Sequence, residues 1–194
     1  EEKFRIYLMA RKTLVASGYK AIGMDHFALP DDDMAKAYDK KSLQRNFQGY
    51  TVLDVDNLLS FGITSIGYCQ NGYFQNVKEL DAYYRLLDEG ILPVFRGKIL
   101  HEDDLLRRWV VQRMMCDFRL DKQQFANKFE QAFDGYFACE RAALQPLKTL
   151  GLVVEDDAVL AATPLGELFI RNITSCFDWY LAQKESHKSF SRAI

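Results

Sequence analysis

Between residues 2 and 17, Phe4, Tyr7, Leu8, Arg11, Leu14 and Val15 recur on one helical face, and Gly18 supplies a stop. Residues 21–29 then alternate, with Ile22, Met24, His26 and Ala28 on one side and Ala21, Gly23, Asp25, Phe27 and Leu29 on the other. That period of two predicts a strand. Pro30 breaks it, and Asp31 is placed to cap a helix over 31–41. Residues 45–51, Arg-Asn-Phe-Gln-Gly-Tyr-Thr, have neither period and read as a loop. Asp54 or Asp56 is placed to start a short helix through Leu58 and Leu59, stopped at Gly62. Residues 63–68 read as a strand broken at Asn71-Gly72. Asn76 and Glu79, at capping-box spacing, open a helix with Val77, Leu80, Tyr83, Tyr84 and Leu87 inward, closing at Gly90.

The pattern then changes. Glu102-Asp103-Asp104 is an acidic helix start, followed by an apolar stripe of Leu105, Leu106, Trp109, Val110 and Met114. Asp121 is an N-cap with Gln124 at the box position, and Leu120 with Phe125 fits a hydrophobic staple. Phe125, Phe129 and Phe133 follow at four-residue steps. A further helix after Gly135 carries Phe137, Leu144, Leu147 and Leu150, with Pro146 kinking or breaking it. Residues 152–154 and 158–160 flank an Asp156-Asp157 turn and form a hairpin. Thr163-Pro164 opens the longest helix, with Leu165, Leu168, Phe169, Ile173, Cys176, Phe177 and Tyr180 on its apolar face. The sum is an α+β chain, mostly helical, whose back half has a winged-helix-like order of helices, short hairpin and helix.

Composition narrows the class. The chain of 194 residues is 48% hydrophobic and 27% charged, with Lys+Arg 25 against Asp+Glu 27 and a net charge of −2. Nothing there argues for nucleic acid or an anionic membrane, and no apolar run reaches the roughly 20 residues that span a bilayer. Cys69, Cys116, Cys139 and Cys176 stand at no metal-ligand or redox spacing and read as buried, reduced thiols. His101 and His187 are isolated surface residues on this reading, and Arg107, Arg108 and Arg113 lie on a solvated helix face.

Chemistry concentrates in residues 18–51. Gly-Met-Asp-His-Phe-Ala-Leu-Pro-Asp-Asp, starting at Gly23, precedes Arg-Asn-Phe-Gln-Gly-Tyr-Thr, starting at Arg45. A loop with a cation, amides, aromatics and a glycine can stack on a planar ligand and hydrogen-bond its edge. These strings closely resemble the oxygen-independent coproporphyrinogen III oxidases, also called dehydrogenases, which are radical S-adenosylmethionine enzymes of anaerobic heme synthesis. The similarity continues through Cys116-Asp117-Phe118-Arg119-Leu120-Asp121, Ile170-Arg171-Asn172-Ile173 and the Phe190-Ser191-Arg192 ending.

The resemblance implies a C-terminal part of such an enzyme. Residues 1–88 are expected to be the last α and β elements of a partial β/α barrel, missing neighbouring strands and exposing apolar surface. Residues 89–194 are expected to be a helical cover domain. The family's three closely spaced cysteines, which hold a [4Fe–4S] cluster, are absent, so no metal ligand and no catalytic residue is assigned here, and the chain alone is expected to be inactive.

Phe47, Gln48 and Ile66 match positions that in the family surround S-adenosylmethionine. By residue type alone, Phe47 and Ile66 read as core and Gln48 as a loop fastener. Asp25 and His26 could polarise a ligand or move a proton, or simply tie a strand end to a loop. Arg45 could face a substrate carboxylate or be a solvated loop charge. The intact enzyme is expected to convert coproporphyrinogen III to protoporphyrinogen IX with S-adenosylmethionine and an electron donor, as a cytoplasmic monomer. Two other readings stand beside it. A heme-chaperone paralogue should lack the 45–50 string. A winged-helix binding module needs clustered basic residues, which 121–185 shows sparsely.

Overall fold

The computed structural model describes residues 2–183; His187 and the Phe190-Ser191-Arg192 ending lie outside them. Two compact units divide the chain: Glu1–Val52 with Arg107–Ile194, and Leu53–Leu106.

Helix α1 (Glu2–Ala16) opens the first unit. Phe4, Tyr7, Arg11 and Leu14 are half-buried, whereas Ile6, Met9 and Val15 remain exposed. It ends as predicted: Gly18, at φ +89°, lets its own N–H reach the Val15 carbonyl and the Tyr19 N–H reach that of Leu14. The single strand expected over 21–29 is instead a hairpin, β1 (Lys20–Gly23) and β2 (His26–Ala28), paired antiparallel. Met24 adopts φ +49°, and the Tyr7 hydroxyl holds its carbonyl at 2.7 Å. A hairpin also lets Ile22 and Ala28 be buried together. Helix α2 (Asp33–Asp39) is capped by Asp32, one residue later than expected, whose Oδ1 accepts from Met34 N. Residues 45–51 are a second hairpin, β3 (Gln44–Asn46) with β4 (Gly49–Thr51), not a loop.

In the second unit, β5 (Ile66–Cys69), β6 (Gly72–Asn76) and β7 (Val94–Ile99) form a three-stranded antiparallel sheet in that order. The expected helix near Leu58 is absent, because Leu58 exchanges both backbone hydrogen bonds with Tyr68. Asn76 caps nothing; it ends β6 and its amide donates to the Gly62 carbonyl and to Ser65 Oγ. Helix α3 (Leu80–Asp88) starts at Glu79 without a side-chain cap. Leu80, Tyr84 and Leu87, expected inward, are exposed, as are Leu92 and, along the following strand, Phe95 and Ile99. The exposed apolar surface expected of residues 1–88 thus extends past them, to Leu92, Phe95 and Ile99.

The unit boundary falls within α4 (Glu102–Asp117). Its buried Val110 and Met114 bear out the predicted stripe. Strand β8 (Arg119–Asp121) leads to α5 (Lys122–Phe129), where Asp121 Oδ1 accepts from Gln124 N at 2.9 Å and Leu120 and Phe125 are both fully buried. The next helical stretch is broken into α6 (Phe133–Tyr136), α7 (Ala138–Ala143) and α8 (Gln145–Thr149). Pro146 marks a real break at the start of α8, while Gly135 lies inside α6. The predicted hairpin is β9 (Val153–Glu155) with β10 (Val159–Ala162), and β10 also pairs β8. Asp156 Oδ1 closes its turn by accepting from Ala158 N and Val159 N. Thr163 caps as expected, but the long helix becomes α9 (Pro164–Leu168), α10 (Ile170–Ser175) and α11 (Trp179–Ala182). Breaks at Phe169 and before Asp178 let Ile170, Ile173 and Phe177 all reach the core.

That core is aromatic. Phe125 lies within 5.0–5.9 Å of the rings of Trp109, Phe129, Phe133 and Phe137, and Phe137 meets Phe177 edge-on at 5.4 Å. Beside it Lys122, nearly buried, sends its three N–H donors to Asp134 (2.7 Å), Glu155 (2.8 Å) and the Asp156 carbonyl (2.7 Å). The arginines of α4 are not a solvated face either: Arg107 pairs with Glu140 at 2.6 Å and Arg113 with Asp117 at 3.0 Å, all four side chains largely buried. Of the cysteines, Cys116 is buried and Cys176 partly so, whereas Cys69 and Cys139 are exposed, against expectation.

Candidate functional site

The 44–51 hairpin is short because its register, Arg45 opposite Tyr50 and Asn46 opposite Gly49, leaves only Phe47 and Gln48 to turn the chain. Asn46 Oδ1 accepts from Gln48 N at 2.8 Å, an Asx bond that folds the turn locally. Gly49 sits at φ +131°, where a side chain is strained. With its side-chain amide oriented so that both polar atoms are satisfied, Gln112 of α4 grips the far strand: its oxygen accepts from Arg45 N (2.7 Å) and its nitrogen donates to Arg45 O (3.1 Å). The result is a braced turn that displays an aromatic ring and an amide. Phe47 is 58% exposed and Gln48 is exposed, so the core reading of Phe47 fails and the side chains face outward.

Beneath the turn lies Tyr50. Its hydroxyl donates to the Met115 carbonyl at 2.8 Å, the Arg45 guanidinium lies 5.2 Å from its ring centre, and the His26 imidazole meets it edge-on at 5.0 Å. Burial holds the phenol's pKa well above its ordinary value, so it stays protonated and donating. His26 Nδ1 is 2.9 Å from Asp25 Oδ1, which aligns the ring and directs Nε2 toward Gly49. Cys116, in the same cluster as Ile22, Leu43 and Tyr50, is a core thiol pushed up to about 12 by burial, which keeps it protonated near neutral pH.

The structure thus brings five of the six singled-out residues, Asp25, His26, Arg45, Phe47 and Gln48, onto two adjoining hairpins of the first unit. Arg45 is half-buried over Tyr50 rather than a solvated charge. Ile66 belongs to the second unit, half-buried on β5 opposite Gln75. Among the described residues, no three His, Cys, Asp or Glu side chains gather into a metal-ligand set, and the donor types present do not fit an iron–sulfur cluster. They do fit an adenine-bearing ligand, through an exposed aromatic face and an amide edge. No described helix is long and apolar enough to cross a membrane.

Sequence reasoning passed over three residues here. Tyr50 lay in the motif but carried no role, although an aromatic beside a glycine is a common strand-end anchor. Gly49 marked the turn's end, since its φ of +131° is one that glycine readily adopts. Gln112, on an otherwise unremarkable helix face, gave no signal.

Residues 100–169 match the HemN C-terminal domain family. The whole chain is 45% identical over 198 residues to the oxygen-independent coproporphyrinogen III oxidase of Synechocystis sp., covering 42% of that protein. It is 44% identical over 181 residues to that of Escherichia coli, covering 93% of this chain and 40% of the relative. The relative from Thermostichus vulcanus is 45% identical and 59% covered. A solved structure described as coproporphyrinogen III oxidase (HemN) from Escherichia coli, a radical SAM enzyme, superposes with a TM-score of 0.87 at 42% identity, over 92% of this chain and 41% of that one. The chain therefore spans about two fifths to three fifths of the curated relatives it matches, and corresponds to their C-terminal part.

Proposed function

We propose that this chain, which belongs with the oxygen-independent coproporphyrinogen III oxidases as their C-terminal part, forms the rear wall of an S-adenosylmethionine site and the domain that covers it. The observation that carries this reading is the braced 47–48 turn, which presents a 58% exposed phenylalanine ring beside an amide. On this reading Phe47 covers the adenine or sulfonium region and Gln48 reads a polar edge. Residues 1–88 supply the cofactor-side elements and residues 89–194 the cover.

The longer enzyme would oxidatively decarboxylate two propionates of coproporphyrinogen III to vinyl groups, giving protoporphyrinogen IX. S-Adenosylmethionine and a reduced [4Fe–4S] cluster, held by cysteines outside this chain, would supply the radical chemistry. What this chain contributes is binding, orientation and exclusion of water. The working protein is a cytoplasmic monomer served by a separate electron donor. A nucleic-acid-binding role is disfavoured by the engagement of Arg107 and Arg113 in buried ion pairs.

The test is equilibrium binding of S-adenosylmethionine to the longer enzyme under anaerobic conditions, with the 47–48 turn intact or replaced by Gly-Gly. Loss of binding with a retained iron–sulfur spectrum supports the assignment. Unchanged affinity removes it.

A further inference from the structure

We infer that His26 is a positioning residue that holds the Phe47–Gln48 turn from behind, through Gly49. The importance of the turn rests on the reading above; the mechanical role of His26 rests on geometry alone. A Cβ placed on Gly49 would stand 3.0 Å from His26 Nε2 and 3.6 Å from Cε1, so the imidazole lies in close contact with the glycine backbone and fills the space a side chain would need. The same ring touches Tyr50 edge-on, and Tyr50 is fixed to Met115. His26 therefore packs against two consecutive residues of β4 just where the turn ends.

The ring is itself held. Asp25 Oδ1 lies 2.9 Å from Nδ1 and sets its rotation. The β1–β2 turn that carries Asp25 is tied to α1 by the Tyr7 hydroxyl on the Met24 carbonyl at 2.7 Å. A continuous series of contacts thus runs from α1 through Met24, Asp25 and His26 to Gly49. Arg45, over the Tyr50 ring, and Gln112, on the Arg45 backbone, hold the opposite strand. The turn is clamped on both strands, and His26 is the clamp on the side of Gln48. Among the described residues, the titratable groups in contact with the His26 ring are Asp25, on its own turn, and the phenol of Tyr50.

Ring packing and hydrogen bonding make different demands, and substitutions separate them. His26→Ala removes both; His26→Phe keeps the ring; Asp25→Asn weakens only its alignment. The Gln48 amide, bonded to Asn46 Oδ1, reports the turn directly by hydrogen exchange in this chain. Exchange there should quicken about tenfold in His26→Ala, and be largely restored in His26→Phe, with Asp25→Asn between them. Amides of α5 and α10 should be unchanged, which separates local loosening from general destabilisation. In the longer enzyme, His26→Ala should raise the dissociation constant for S-adenosylmethionine about tenfold, with rescue by His26→Phe. Unchanged Gln48 exchange in His26→Ala overturns the inference, as does failure of His26→Phe to restore it. Faster exchange with unaltered cofactor affinity sustains the clamp and removes the turn from the binding site.

Discussion

Tyr50 donates its hydroxyl to the carbonyl of Met115 at 2.8 Å, across 65 residues of chain. Gly23 makes the approach possible, because a Cβ there would collide with that hydroxyl. Tyr50→Phe should cost about 1–2 kcal/mol, the loss of a buried hydrogen bond with its acceptor left unsatisfied. Gly23→Ala should cost about 1–3 kcal/mol by overpacking the same point. Denaturant unfolding checks both. The double variant should cost less than the sum, since Tyr50→Phe removes the atom that the new methyl would strike.

Phe47→Ala and Gln48→Ala, placed in the longer enzyme, should abolish turnover with little change in thermal stability. A phenylalanine packed in a core costs about 3–5 kcal/mol when truncated, and one 58% exposed at a turn costs far less. Cofactor affinity and melting temperature measured on the same anaerobic samples decide the matter. Early melting with normal affinity would make the turn scaffolding.

Glu155 ties the β9–β10 hairpin to α5, α7 and α8, 4% exposed and in contact with Lys122, Arg141 and Lys148. Burial works to raise its pKa, but hydrogen bonds from Lys122, Lys148 and Arg141 win and lower it to about 2 from the usual 4.5. A carboxylate depressed in the folded state stabilises fully above its unfolded pKa. That contribution should fade as pH falls from about 4.5 through 2. Lys122, net raised above 10.5 although burial opposes it, adds stability that is lost as pH climbs beyond that value. Glu155→Gln should cost on the order of 3 kcal/mol at pH 7 and flatten the acid limb of a melting-temperature profile. An unaltered acid limb would assign it to other carboxylates.

Glu130 closes α5 in the left-handed region at φ +55°, exposed. Glu130→Gly relieves a conformation that costs a non-glycine residue about 1 kcal/mol. The melting temperature should rise by about 2–4 °C. A fall would show that the side chain holds a contact worth more than the strain.

Legibility in the sequence followed the range of the forces involved. Caps and stops set by nearest neighbours, such as Asp121 with Gln124, Thr163 with Gly166 and the turn at Asp156, were readable where they occur. Periodicity misled where a turn could hide inside it. Alternation over 21–29 is equally consistent with one strand or two antiparallel strands, and only the left-handed Met24, anchored by Tyr7 from α1, chooses between them. The same held over 163–180, where a continuous helical stripe conceals breaks that let Ile170, Ile173 and Phe177 converge. Strand β7 was invisible, since Val-Phe-Arg-Gly-Lys-Ile alternates poorly and all six residues are exposed. Five of the six site residues are close in space because they lie close in sequence. The Gln112 contact with Arg45, reaching β3 from α4, is a tertiary fact that local pattern cannot carry.

The packing of Phe125 and Phe129 against Trp109 has an optical consequence. One indole sits among phenylalanine rings at 5.9 and 5.8 Å, while Trp179 is nearly half exposed with the Arg107 guanidinium 5.5 Å away. The two chromophores occupy dissimilar surroundings, so their emission should differ in wavelength and in access to iodide or acrylamide. Loosening of the aromatic core around Phe125 would red-shift the shorter-wavelength component first. The molecule carries its own pair of fluorescent gauges, one for the interior and one for the rim, without a dye.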